Sequence, residues 1–104
     1  MVAQTPGQAD SNCIRIASGG NLVASTVEER RKAAMEALTV PCTEAVLDLA
    51  TAEVVDSLGI TLILGLFKTC QKTGTPFSIE GVKPDLMRVF RLFNLPKFFP
   101  VLEG

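Results

Sequence analysis

The sequence predicts an α/β fold: a mostly parallel or mixed sheet covered by helices. Three observations carry this. Short alternating or apolar runs (Cys13–Ala17, Ala45–Leu49, Phe77–Glu80) are separated by longer runs of helical pattern. Glycine and proline punctuate the joints, at Ser18-Gly19-Gly20, Pro41, Thr73-Gly74-Thr75-Pro76 and Pro84. The most apolar stretch, Leu58 to Phe67, is about half the length that a membrane-spanning helix needs, so it reads as a core helix. Strands that alternate with helices imply a layered α/β domain. A chain of 104 residues suits one domain.

Residues 1–12 are polar and small, and a flexible lead-in is expected there, with a single domain over 13–104. They carry no basic-then-apolar signal pattern. Cys13-Ile14-Arg15-Ile16-Ala17 alternates as a half-buried strand. After the glycine turn, Asn21-Leu22-Val23 is expected as a second short strand. Ser25 or Thr26 is a helix N-cap with Glu28 and Glu29 in the first turn. That helix runs to about Leu38, with Val27, Ala34 and Leu38 on one face. Ala45 to Leu49 is the next strand.

From Ser57 to about Thr73 a helix is expected, central and buried, since Leu58, Ile60, Leu62, Ile63, Leu64, Leu66 and Phe67 leave little polar face. Gly59 and Gly65 weaken its intrinsic propensity and suit close packing against a sheet. Phe77 to Glu80 is a strand. Pro84 opens a helix to Phe93 with Leu86, Val89, Phe90 and Phe93 on its apolar face. Asn94 ends it in left-handed geometry. Leu95 to Leu102 is an apolar tail packed back on the sheet, so Phe98 and Phe99, like Phe90 and Phe93, read as packing residues.

Composition narrows the function. Apolar residues make up 47 % of the chain and charged residues 20 %, with a net charge of −1. Net charge alone draws such a chain neither to nucleic acid nor to an anionic membrane. Histidine is absent, which removes the commonest general base and metal ligand. No enzyme, no metal and no cofactor are expected. Cys13, Cys42 and Cys70 form no Cys-x-x-Cys pair and read as reduced, mostly buried thiols of a cytoplasmic protein.

The chemistry centres on Asp56-Ser57-Leu58-Gly59. Asp56 can accept from amides that lack intrahelical partners, and Ser57 follows in the first turn. On spacing alone the pair is a helix cap. A phosphate on Ser57 would also meet the positive end of the helix. It would add about −1.5 to −2 charges beside Asp56.

The run from Val46 to Val101 resembles the STAS domain of bacterial anti-sigma factor antagonists. The likeness is carried by Val46-Leu47-Asp48-Leu49, Val55-Asp56-Ser57-Leu58-Gly59-Ile60, Leu64-Gly65-Leu66-Phe67-Lys68, Lys72-Thr73-Gly74, Gly81-Val82-Lys83-Pro84, Val89-Phe90 and Leu95-Pro96-Lys97-Phe98-Phe99-Pro100-Val101. Cys13-Ile14-Arg15-Ile16 and Gly20-Asn21-Leu22 match the N-terminal strands more weakly. The resemblance implies a mixed sheet of four to five strands covered by three to four helices. It implies a non-enzymatic phospho-switch with Ser57 as phosphoacceptor. The unphosphorylated antagonist binds an anti-sigma factor that is also a serine kinase, and so regulates sigma-dependent transcription. A metal-dependent serine phosphatase reverses the mark. Asn21, Leu22, Val23, Asp56, Ser57, Leu58 and Gly59 fall on the partner-facing edge, with no direct nucleic-acid contact and no membrane insertion. Leu58 stands where the family often has Ser or Thr, and Val23 where it often has an acid. Both favour the alternative: a scaffold or ligand-binding module in signalling, secretion or lipid transport, outside sigma control.

Overall fold

A computed structural model describes residues 13–104; the expected lead-in, 1–12, lies outside the described residues. In chain order the elements are β1 (Cys13–Ala17), α1 (Val27–Ala37), β2 (Glu44–Asp48), α2 (Ser57–Lys72), β3 (Phe77–Val82), α3 (Pro84–Leu92), a 3-10 turn (Leu95–Lys97) and β4 (Val101–Glu103). Among the described residues the strands form one sheet in the order β1-β2-β3-β4, every neighbouring pair parallel.

Alternation along the strands gives the sheet two unlike faces. Ile16, Leu47 and Ile79 lie side by side in register and are buried in one apolar cluster. The buried faces of all three helices meet that same cluster: Ala34 from α1, Ile63 and Leu66 from α2, Leu86 and Phe90 from α3. The other face is polar. There Arg15 donates to Asp48 at 3.2 Å and to Glu80 at 3.0 Å, across two strand boundaries. Val46, in register with Arg15, is buried on this face away from the main cluster. Sheets of parallel strands are usually covered on both faces. Among the described residues no helix covers this face, which carries the charged cross-strand network instead.

Close packing fixes the start of α2. A Cβ on Gly59 would stand 2.2 Å from the Leu22 carbonyl oxygen and 2.7 Å from Val55 Cγ1. Only a glycine lets helix and loop approach so far. Gly65 has no such neighbour within 4 Å, so the expected close packing holds at one glycine and not the other. Gly81 has φ +74 at the irregularity between the β3 and β4 registers, where the ladder jumps from Ile79 to Val82.

Several expectations need correction. Asn21-Leu22-Val23 is not a strand; only Leu22 makes a single parallel bridge, to Val55. Thr26 occupies the N-cap position of α1 but caps no helical amide. Its hydroxyl donates to Asn21 O at 2.8 Å and accepts from Val23 N at 3.1 Å, closing the preceding turn instead. Leu58 is exposed, because it lies on the solvent side of α2's first turn. Phe93 is also exposed, since α3 ends at Leu92 and the chain turns at Asn94, with φ 60. Met87 fills the core position instead. Phe99 is buried, its ring 5.1 Å from Phe67 and 5.0 Å from Phe77, while Phe98 is exposed. Of the thiols only Cys70 is buried; Cys13 and Cys42 are half-buried.

Candidate functional site

Parallel strands deliver their outgoing loops to one end of the sheet, and helices return the chain to the other. The loops after β1 and β2 therefore meet, and the backbone there is satisfied by exchange between them. Leu22 N donates to Val54 O at 3.0 Å, and Asp56 N donates to Leu22 O at 3.1 Å. The Asn21 side-chain oxygen accepts from Glu53 N at 2.8 Å and Val54 N at 3.0 Å. A side chain thus stands in for a strand partner. This explains why so polar a segment is ordered without being a strand.

Asp56 joins the two loops to the helix. One carboxylate oxygen accepts from Gly59 N at 3.0 Å, which is the N-cap bond of α2. The other accepts from Ala24 N at 2.9 Å. The Gly59 amide, and with it that of Ala24, holds the Asp56 carboxyl below the ordinary carboxylate range despite partial desolvation. Asp48 is held low in the same way, first by the Ala50 amide and then by Arg15. A carboxyl whose pKa is depressed on folding stabilises fully above its unfolded value, about 3.9, and loses that contribution as pH falls through the lower folded value. Unfolding in urea across an acid titration should therefore show stability falling below about pH 4. The fall should be shallower in Asp56→Asn, which keeps an acceptor oxygen but no charge. Parallel curves for wild type and variant would refute a role for the Asp56 charge.

Ser57 is the first residue of α2 and is exposed. Its carbonyl accepts from the Thr61 hydroxyl at 3.0 Å, so its backbone is anchored while the side chain faces outward. Leu58 beside it is 48 % exposed, and Val54 on the adjoining loop 51 %. Val23 is half-buried, and Leu22 and Gly59 are buried beneath. The site residues expected from sequence thus fall into two layers. Asn21, Asp56, Ser57 and Leu58 contribute surface or bridging groups, whereas Leu22 and Gly59 form the seam that holds the loops together. Val54 and Ala24 were not foreseen. The exposed half of Val54-Val55 is set by the Leu22–Val55 bridge, which no local pattern announces.

Two further features frame the site. Lys83 donates to Ala50 O at 2.6 Å, bracing the loop from the α3 side. A cleft of about 400 Å³ lined by Glu53, Val54, Lys83, Pro84 and Asp85 borders the same loop. At the opposite end of the sheet a cavity of about 360 Å³ includes Cys42 and Cys70 in its lining. Burial pushes the Cys70 thiol up, toward a protonated and unreactive state. Among the described residues no helix is long and apolar enough to cross a membrane.

Chemically, this end of the molecule offers an exposed hydroxyl on a capped helix N-terminus, an acid beside it and an apolar rim. A phosphoryl group on Ser57 would enter a helix end whose Gly59 amide is already taken by Asp56. It would therefore add charge to the surface rather than replace a missing cap.

Known structures share this architecture. A candidate anti-sigma factor antagonist from Thermotoga maritima matches with a TM-score of 0.81 at 18 % identity, over 89 % of this chain and 80 % of that one. A sulfate transporter family protein from Wolinella succinogenes matches with a TM-score of 0.77 at 18 % identity, over 89 % and 78 %. The anti-sigma factor antagonist SpoIIAA in its unphosphorylated form matches with a TM-score of 0.64 at 20 % identity, over 89 % and 80 %. At these identities the likeness is one of fold. None of the curated proteins compared with the chain matches it in sequence. The model of the STAS domain matches residues 6–103, nearly the whole chain, and the chain belongs to that family.

Proposed function

We propose that this protein is an anti-sigma factor antagonist whose binding is switched by phosphorylation of Ser57. The observation that carries the reading is the exposed Ser57 hydroxyl on the first turn of α2, beside the Asp56 cap. Unmodified, the surface of Asn21, Val23, Val54 and Leu58 around Ser57 docks on an anti-sigma factor with serine kinase activity and frees the sigma factor for transcription. Phosphorylation places about two negative charges next to Asp56 and sets them against the acceptor side of the partner. A serine phosphatase restores binding. The domain supplies no catalytic group of its own, and it works in the cytoplasm with its kinase.

Incubation with ATP and the anti-sigma kinases of the same genome should place one phosphate on Ser57, mapped by mass spectrometry. Ser57→Asp should weaken the partner complex by about tenfold or more, since a like charge at an interface costs over ~1.4 kcal/mol. Ser57→Ala should bind as the wild type does. Equal binding by both variants would reduce Ser57 to a helix-start residue.

A second reading is favoured by Val54 and Leu58, which make the rim of the site apolar. It is a scaffold or ligand-binding module outside sigma control, and the likeness to a sulfate transporter family protein supports it. Neighbouring genes separate the two readings. A kinase and sigma factor support the first, transporter genes the second.

A further inference from the structure

The end of the molecule opposite Ser57 carries a different surface. Helices run back against the strands, so the C-terminal ends of α2 and α3 both lie at the strands' N-terminal end. The chain between α3 and β4 closes this end. Phe98 sits against Phe67 of α2, with ring centroids 6.3 Å apart, and shares a cleft with Gln71 and Gly74 at the end of α2. Three large apolar side chains stand out there: Leu92 is 82 % exposed, Phe93 51 % and Phe98 56 %. Singly, exposed apolar residues are ordinary; here Leu92 ends α3, Phe93 is its C-cap and Phe98 follows the 3-10 turn, close together along the chain.

The patch has basic neighbours. Arg91 and Lys97 flank its residues in sequence, and Lys72 ends α2 beside Gln71; all three are exposed. Arg88, one turn back, makes only a long pair with Asp85, at 3.9 Å. Among the described residues the acids that reach this end are Glu36 of α1 and Glu44 of β2, which β3 separates from β4. Among the described residues this end is therefore the more basic one, because Glu28, Glu29, Glu53, Asp56 and Asp85 all lie toward the Ser57 end.

We propose that the tip of Leu92, Phe93 and Phe98, flanked by Lys72, Arg91 and Lys97, adsorbs to anionic phospholipid surfaces. Apolar side chains that project beyond the backbone find their burial in a deformable phase, and basic groups around them select anionic headgroups. An acidic protein groove is the competing occupant. Leu92 favours the lipid surface: at 82 % exposed it has little packing within the chain, and a fluid phase buries it without a preformed pocket. The mode is peripheral, with no segment crossing the bilayer, and it leaves the Ser57 end free.

Sedimentation of the full chain with vesicles tests this. The protein should pellet with equal parts phosphatidylcholine and phosphatidylglycerol, should stay in solution with phosphatidylcholine alone, and should be released by raising salt. Arg91→Gln with Lys97→Gln should lower adsorption about thirtyfold, from the attraction of each basic residue to anionic lipid. Leu92→Ser should lower it about tenfold. Both variants should keep the wild-type melting temperature, because the altered side chains are exposed. Absence of binding to anionic vesicles, equal binding to both vesicle types, or adsorption untouched by the charge variant would each overturn the proposal. Retention on poly-glutamate beads without vesicle binding would do so too, and would assign the patch to an acidic protein.

Discussion

Gly59→Ala is expected to destabilise the fold by about 3 kcal/mol, although alanine is the better helix former by about 1 kcal/mol. The new Cβ would meet the Leu22 carbonyl oxygen at 2.2 Å and Val55 Cγ1 at 2.7 Å. A flexible side-chain end could swing away, but a backbone carbonyl cannot. The Leu22 oxygen is also the acceptor for Asp56 N, so displacing it loosens the bond that ties the loop to the helix cap. Gly65→Ala in the same helix is the control. Nothing lies within 4 Å of its added Cβ, and the backbone is helical. That variant should gain about 0.5–1 kcal/mol. Urea unfolding followed by circular dichroism compares the two midpoints. If both substitutions raise the midpoint alike, the tight seam between Leu22 and α2 is wrong. The expected loss also bears on the Ser57 surface, because the collision would push the Asn21–Ala24 loop off Asp56.

The comparison of these glycines shows where sequence is legible and where it is not. Strand and helix positions follow from periodicity and from the Gly and Pro breaks. The cap at Asp56 follows from an acid and a serine in front of an apolar run. These signals are local, because each depends on neighbours within one or two turns. Leu22 is different. Its single bridge to Val55 and the Asn21 bonds to Glu53 and Val54 join loops that are far apart in sequence. No periodicity encodes them. The same holds for Thr26, whose hydroxyl has a closer partner in the turn before the helix than in the helix itself. The candidate site was thus legible at its helix end, through Asp56 and Ser57, and illegible at its loop end, where Val54 joins the rim. The sequence leaves the sheet mostly parallel or mixed, because alternating strands and helices fix the layers but not the direction of every strand; among the described residues every pair is parallel.

Phe90→Ala should cost about 3–5 kcal/mol, much of the stability of a domain this small. Phe90 is fully buried and, with Leu86 and Met87, carries α3 onto the cluster around Ile79 and Val82. A cavity there cannot be filled by its neighbours without moving the helix that holds the tail and β4 in place. Phe93 stands three residues on and belongs to the same apolar pattern, yet Phe93→Ala should change stability by less than about 0.5 kcal/mol. The difference lies in where the helix ends. A continuous helix would bring both rings to one face, but α3 stops at Leu92 and Asn94 turns the chain. Thermal unfolding of the two variants decides between pattern and geometry. A matching loss in both would mean that Phe93 packs inward and that the exposed tip does not exist. If Phe93→Ala leaves stability intact while it weakens vesicle adsorption, the ring is a surface group. The sequence pattern that placed it on the apolar face then marks a contact with something outside the chain.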